Sequence, residues 1–134
     1  MAEELNPDWF ERLPCAITVC DDDYTVLYLN RRAAEVNAAD GGKELVGRNL
    51  LSCHPARARS KLRAVMAGAS PNVYTVDKNG VRKVVFQAHW RRGGRQAGLV
   101  EVTFELPYDA AHFVRSSDPP APPSVPTVHR SRAW

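Results

Sequence analysis

Apolar and polar residues alternate with a period of two through the second half of the chain, and recur with a helical period in its middle. The clearest alternation runs Asn72-Val73-Tyr74-Thr75-Val76-Asp77 and returns as Lys83-Val84-Val85-Phe86-Gln87-Ala88-His89-Trp90, with Asn79-Gly80 between. That dipeptide is a strong hairpin signal, because a tight two-residue turn needs positive φ at both central positions. A third strand follows Gly93-Gly94, from Gly98 to Leu106. A two-residue turn pairs Asp77 with Arg82, Thr75 with Val84 and Val73 with Phe86. This register gathers Val73, Val84, Phe86, Ala88 and Trp90 on one face, which we expect to be the interior. Tyr74, Val76 and Val85 then fall on the other face, which is too apolar to be fully solvated. The expected cover is the opening helix, within one chain or across a dimer.

The opening helix is Asn6 to Leu13, with Asn6 at the N-cap, Pro7 at the first helical position and Asp8 at the positive end of the dipole. Leu5, Trp9, Phe10 and Leu13 share a face, and Pro14 ends the turn. Residues 15–20 read as a first strand, Asp21-Asp22-Asp23 as a turn, and residues 25–29 as a second strand. Asn30 is placed to cap a short helix reaching about Ala38, and Gly41-Gly42 breaks it. A turn of helix near 43–46 stops at Gly47. Residues 56–68 make a longer helix, with Ala58, Leu62, Val65 and Met66 on one side and Arg57, Arg59, Lys61 and Arg63 mostly on the other. The predicted class is α+β, a five-stranded antiparallel sheet with helices packed on one face. Residues 1–13 form the opening helix and 14–107 the domain. Residues 108–134, with five prolines between Pro119 and Pro126, are expected to be a largely disordered tail.

Composition narrows the picture little further. The 134 residues suit one domain, and 44% apolar content can build one core. No apolar run approaches the ~20 residues of a membrane span. Met1-Ala2-Glu3-Glu4-Leu5 lacks the basic and apolar regions of a signal peptide, so a cytoplasmic protein without membrane contact is expected. Cys15, Cys20 and Cys53 lack paired metal spacing and read as reduced thiols. The net charge of +3 comes from scattered arginines, which does not point to nucleic acid as a main partner.

The order of elements, two strands, helices, then three strands, resembles a PAS domain over Leu13 to Leu106. Leu13-Pro14-Cys15-Ala16-Ile17-Thr18-Val19-Cys20-Asp21 is similar to the family's opening strand and acidic turn. Val26-Leu27-Tyr28-Leu29-Asn30-Arg31-Arg32-Ala33-Ala34 is similar to its second strand and Asn-capped helix. Leu45-Val46-Gly47-Arg48-Asn49-Leu50 matches the step before its long helix. The chain looks most like small bacterial PAS proteins with a Cys-His-Pro step, here Cys53-His54-Pro55. These share Tyr74, Lys78 and Gly80 of the hairpin, Gln87 and Trp90, the Gly98 to Glu101 strand, and a His112-Phe113-Val114-Arg115 string. The resemblance implies a sensory or dimerisation module that is not an enzyme, forms a homodimer and acts on a downstream signalling protein. Pocket candidates are Ile17, Tyr28, Asn30, Cys53, His54, Leu62, Met66, Phe86 and Trp90. Dimer-interface candidates are Leu5, Trp9, Phe10, Tyr74, Val76 and Val85.

Cys53-His54-Pro55 is the sharpest chemical signal, since imidazole and thiolate both ligate haem iron. Against that, haem-binding PAS domains place their ligand within the helix, and His54 stands just before it. The structural reading makes Cys53 a small buried hydrophobe, His54 a loop hydrogen-bonder and Pro55 a helix start. The string Gly47-Arg48-Asn49 is similar to flavin photosensors, but Leu50 occupies the place of their reactive cysteine, so a flavin adduct is not expected. Asp21-Asp22-Asp23 lacks the alternating ligands and glycine of a calcium loop and reads as a solvated turn. Neither a Gly-x-Ser-x-Gly elbow nor a phosphate-cradling glycine loop occurs. Two functions follow: a sensor of a small ligand or cofactor, haem being the named candidate, or a ligand-free dimerisation adaptor.

Overall fold

Asn79 and Gly80 both adopt positive φ, 54° and 78°. The strands they join pair Asp77 with Arg82, Thr75 with Val84 and Val73 with Phe86, the register a two-residue turn dictates. The computed structural model describes residues 8–68 and 70–116, without the side chain of Cys53. Five strands form one sheet: β1 (Ala16–Asp21), β2 (Val26–Leu29), β3 (Asn72–Lys78), β4 (Val81–Arg92) and β5 (Arg95–Glu105). Their order is β2-β1-β5-β4-β3, and every neighbouring pair is antiparallel. Three α-helices, α1 (Asp8–Arg12), α2 (Arg31–Val36) and α3 (Ala56–Met66), are joined by 3-10 turns at Ala38–Asp40, Gly42–Leu45 and Leu50–Cys53. Leu5 and residues 117–134 of the predicted tail lie outside the described residues.

The hairpin register agrees with the sequence, but its faces are exchanged. Val85 and Gln87 are buried, while Phe86 between them is exposed. Residues directly opposite across an antiparallel pair share a face. Gln87 stands opposite Glu101, which stands opposite Thr18, and Leu99 stands opposite Cys20. Cys20 and Leu99 form one core with Leu62, Val65 and Met66 of α3. The helix-covered face therefore carries Tyr74, Val76, Val85 and Gln87. Val73, Val84, Phe86, Ala88 and Trp90 point away from α3. Alternation fixes which residues travel together but not which set is inside, and both sets here are apolar.

Two local devices shape the sheet. Cys20 pairs with Val26 and Val19 with Tyr28, so Leu27 is the extra residue of a bulge. Val26 and Leu29, three apart, can then both enter a second core with Ala33 and Leu45. Gly98 lies opposite both Asp21 and Trp90. A Cβ there would sit 1.9 Å from the Cys20 carbonyl oxygen, so only glycine fits. Trp90 Nε1 donates to that same oxygen at 3.0 Å, tying β4 to β1 across β5.

Asn30 joins the N-terminal third of the chain. It is 0% exposed. Its Oδ1 accepts from the N–H of Ala33 at 2.9 Å and of Ile17 at 3.0 Å. Its Nδ2 donates to the carbonyls of Cys15 at 2.8 Å and Phe10 at 3.2 Å. The expected N-cap of α2 is present, and the remaining amide capacity fastens β1 and α1 to it.

Helix α1 lies on the sheet face opposite α3. Phe10 meets the Tyr28 ring edge-on, with centroids 5.2 Å apart, and Tyr28 points the same way as Val19. Tyr28 Oη donates to Glu11 Oε1 at 2.9 Å, and Lys43 Nζ donates to both Glu11 oxygens at 3.1 Å. Desolvation raises the Glu11 pKa, but these hydrogen bonds and the Lys43 charge outweigh it and hold the carboxyl below its ordinary value. Desolvation, then the Glu11 hydrogen bond and charge, push the Tyr28 hydroxyl upward.

Asn30→Ala leaves two buried N–H groups and two carbonyls without partners. Urea unfolding should show a loss of about 3 kcal/mol or more. Asn30→Asp, which turns a carboxylate oxygen toward the Cys15 and Phe10 carbonyls in a buried site, should lose at least as much. A loss below about 1 kcal/mol for Asn30→Ala would contradict this role.

Candidate ligand cavity

Between the inner sheet face and the segment 37–62 lies a partly open cavity of about 110 Å³. Its walls mix apolar Leu29, Leu45, Leu62 and Leu99 with polar Thr18, His54, Gln87 and Glu101. Each wall follows from an element already described. β1 and β5 present Thr18 and Glu101, β4 presents Gln87, and α3 presents Leu62. His54 stands at the end of the 3-10 turn Leu50–Cys53, which Asn49 caps by accepting the Leu51 N–H at 2.8 Å.

Gln87 is the buried polar group of the cavity wall with hydrogen bonds at both ends of its amide. It is 5% exposed. Its Nε2 donates to Glu101 Oε1 at 2.7 Å, and its Oε1 accepts from Asn72 Nδ2 at 2.8 Å. This chain of three side chains runs across β5, β4 and β3 and satisfies polar groups that would otherwise be costly to bury. His54 Nδ1 lies 2.8 Å from the Leu50 carbonyl, so Nδ1 carries the proton and Nε2 is left as an acceptor.

Of the nine pocket residues expected from sequence, His54 and Leu62 line this cavity. Met66 belongs to the adjoining core. Asn30 has all four amide hydrogen-bonding positions engaged by protein groups and offers a ligand nothing. Ile17, Tyr28, Phe86 and Trp90 lie on the opposite sheet face, the consequence of the exchanged faces. The Cys53 side chain is outside the described residues. Sequence reading missed Thr18, Gln87, Leu99 and Glu101 as a wall. The available signal was the polar set Thr18, Gln87 and Glu101 at alternating positions of three strands, which reads as an outer face unless a polar interior is allowed.

The expected dimer contacts divide in the same way. Val85 is buried beneath the helices, and Tyr74 borders a groove beside α3. Val76 shares their face. Phe10 packs on Tyr28, and Trp9 stacks on Phe10 at 5.2 Å while staying largely exposed.

Size and ligand chemistry together decide whether this cavity can hold haem. His54 Nε2 offers the correct atom. A volume of about 110 Å³, however, falls well below the ~300–1,000 Å³ of ordinary ligand pockets. Haem does not fit the residues as they stand.

Asp21, Asp22 and Asp23 bring three carboxylates within 4.8 Å of one another. Asp21 Oδ1 is engaged by the turn, accepting from the N–H groups of Asp23 and Thr25 at 2.9 Å each. The Cys20 thiol is buried, and desolvation pushes its pKa up to about 11.

The family profile described as the PAS fold matches residues 10–101. No curated protein sequence matches the chain. Among solved structures, the PAS domain of Bordetella pertussis BvgS is 18% identical, with a TM-score of 0.58 over 79% of this chain and 87% of that one. The Vibrio cholerae Aer2 receptor, described as a dual PAS-heme oxygen sensor, is 19% identical with a TM-score of 0.54, covering 69% of this chain and 95% of that one. The Vibrio cholerae VqmA dimer, a LuxR-type receptor, is 15% identical with a TM-score of 0.59 over 89% of this chain and 59% of that one. At these identities the structures speak for the fold alone.

Two outcomes follow from the cavity. Protein purified from cells given haem precursor, and protein titrated with haemin, should show no Soret band dependent on His54. A band lost in His54→Ala would contradict the size argument. At pH 8 the Cys20 thiol should resist iodoacetamide until the protein is unfolded, because it stays protonated below about 11. Rapid labelling of Cys20 in the folded protein would contradict its burial. The profile match, the five-stranded antiparallel sheet and the Asn-capped helix after β2 agree, and the chain belongs to the PAS fold family, whose members are sensory and signalling modules.

Proposed function

We propose that this chain is a PAS signalling adaptor that self-associates through the outer face of its sheet and passes its signal on by protein contact. The observation that carries this reading is the apolar surface of β3, β4 and β5. Val73, Phe86 and Phe104 are 57%, 37% and 37% exposed. Phe86 stands opposite both Val73 and Val102, and Val84 opposite Phe104, so these side chains form one continuous patch across three strands. Helix α1 covers Tyr28 at the β2 side of that face and leaves this half open. Contiguous apolar surface of this kind marks interaction sites. A second copy placing the same patch against it forms a two-fold, self-complementary contact. The relation to the VqmA dimer supports a paired assembly without fixing its geometry.

The alternative, a sensor that holds a ligand in the cavity, is restricted by size. At about 110 Å³ the cavity admits a molecule of a few heavy atoms, not a porphyrin or a flavin. The polar wall of Gln87, Glu101 and His54 keeps such a small polar ligand in view as an input to the adaptor.

The test is the molar mass from light scattering across a concentration series. Wild-type protein should give a dimer that dissociates on dilution, and Phe86→Glu or Val73→Glu should give a monomer at every concentration with unchanged circular dichroism. A wild type that stays monomeric at 1 mM (on the order of the weakest affinities worth calling specific), or a dimer indifferent to both substitutions, would overturn the reading.

A further inference from the structure

On the inner side of the sheet, away from the proposed dimer face, a groove of about 530 Å³ runs between α3 and β3. Its floor is Ala58, Leu62 and Ala64 of α3 with the Tyr74 ring opposite, and Arg57 and Lys61 stand on its helical wall. The groove lining contains no carboxylate. Arg57 and Lys61 are one turn apart and so project from the same side of the helix.

Two charges of α3 are placed where they do not help the helix, whereas Arg63 in the last turn does. Arg57 and Arg59 lie in its first turn, beside the positive end of the dipole, and that turn has no acidic residue. The N-cap position is Pro55, which provides no side-chain cap. Arg57, Arg59, Lys61 and Arg63 make no ion pair among the described residues, where the pairs found join Arg32 to Glu35 and Glu105, and Lys43 to Glu11. Arg57 and Lys61, without an ion pair among the described residues, are the two cations that this groove offers to an anion.

We propose that the α3–β3 groove docks an extended acidic segment of a partner protein, with an apolar side chain on the groove floor and carboxylates on Arg57 and Lys61. Three features favour a peptide over nucleic acid. The groove has an apolar floor, and only two cations face it. Its other flank, Asn72 and Tyr74, is uncharged. In addition, β3 is the last strand of the sheet, with no strand neighbour on its outer side among the described residues, so an extended chain can pair along it. The other edge is closed, since Val26 N–H donates to the Arg48 carbonyl and Gly47 N–H to the Val26 carbonyl. The chain's own C-terminal residues do not supply the acid. From 117 to 134 they contain one carboxylate side chain, Asp118, against Arg130 and Arg132.

The probe is a panel of fluorescein-labelled eight-residue peptides of Asp and Glu, each with a different apolar or aromatic residue at the centre. Their binding to the full chain is read by anisotropy, beside a neutral peptide and a single-stranded oligonucleotide of similar length. At least one acidic peptide should bind saturably and weaken as salt rises. R57E/K61E should lower its affinity tenfold or more. R92E/R95E, the same change in net charge at the exposed β4–β5 turn away from both the groove and β3, should lower it less than threefold. Because R57E replaces a cation with an acid at the positive end of α3, the double variant should also keep or raise the melting temperature, which excludes misfolding. Phe86→Glu should leave peptide binding intact, so the docking site and the dimer face fail or stand separately. The proposal is overturned by no saturable binding across the panel, by tighter binding of the oligonucleotide, by equal losses in both double variants, or by loss of self-association in R57E/K61E, which would assign the groove to a second copy.

Discussion

The fully buried amide of Asn30 is the constraint from which the rest of the molecule is arranged. One side chain caps α2, receives the β1 backbone at Ile17 and holds the carbonyls of Cys15 and Phe10. Because an amide has a fixed planar set of donors and acceptors, satisfying all of them sets the angle between the end of β2, the start of β1 and helix α1. With α1 fixed there, Glu11 reaches Tyr28 and Lys43, and the β2 side of the outer sheet face is covered. The other half of that face is left open by the same arrangement.

The sheet that results has two unlike faces. Beneath α3, polar side chains occupy the interior and satisfy one another in the Asn72–Gln87–Glu101 chain. The cavity they border is small because Leu29, Leu45, Leu62 and Leu99 already fill most of the space. Away from α3, valines and phenylalanines meet solvent. A sheet with a small polar cluster in its otherwise apolar interior and an apolar patch on its exterior is consistent with an interior tuned to a very small input, and with an exterior used for contact.

Much of the fold was legible because it rests on local rules. Asn79-Gly80 allows one turn type, so the register of β3 against β4 followed directly. Asn30 before Arg31 is a cap signal, and the cap formed. What was not legible depended on tertiary choices. In β4, Val84 and Phe86 are as apolar as Val85, and Gln87 argued against its own burial, so the pattern favoured the wrong face. Five of the nine expected pocket residues fell elsewhere for that reason or because, like Asn30, they were engaged by the backbone, and Met66 went to the adjoining core. The bulge at Leu27 was equally hidden, since an inserted residue in a strand of four leaves no period to break.

The account stands or falls on which sheet face meets a second copy. The most direct measurement is an isotope-filtered NOE experiment on a mixture of methyl-labelled and unlabelled protein, which reports only contacts between copies. The account predicts intermolecular signals at the methyls of Val73, Val84 and Val102 and none at Leu62 or Leu99. Signals confined to the α3 side of the sheet, or their absence in a sample shown to be dimeric, would contradict it.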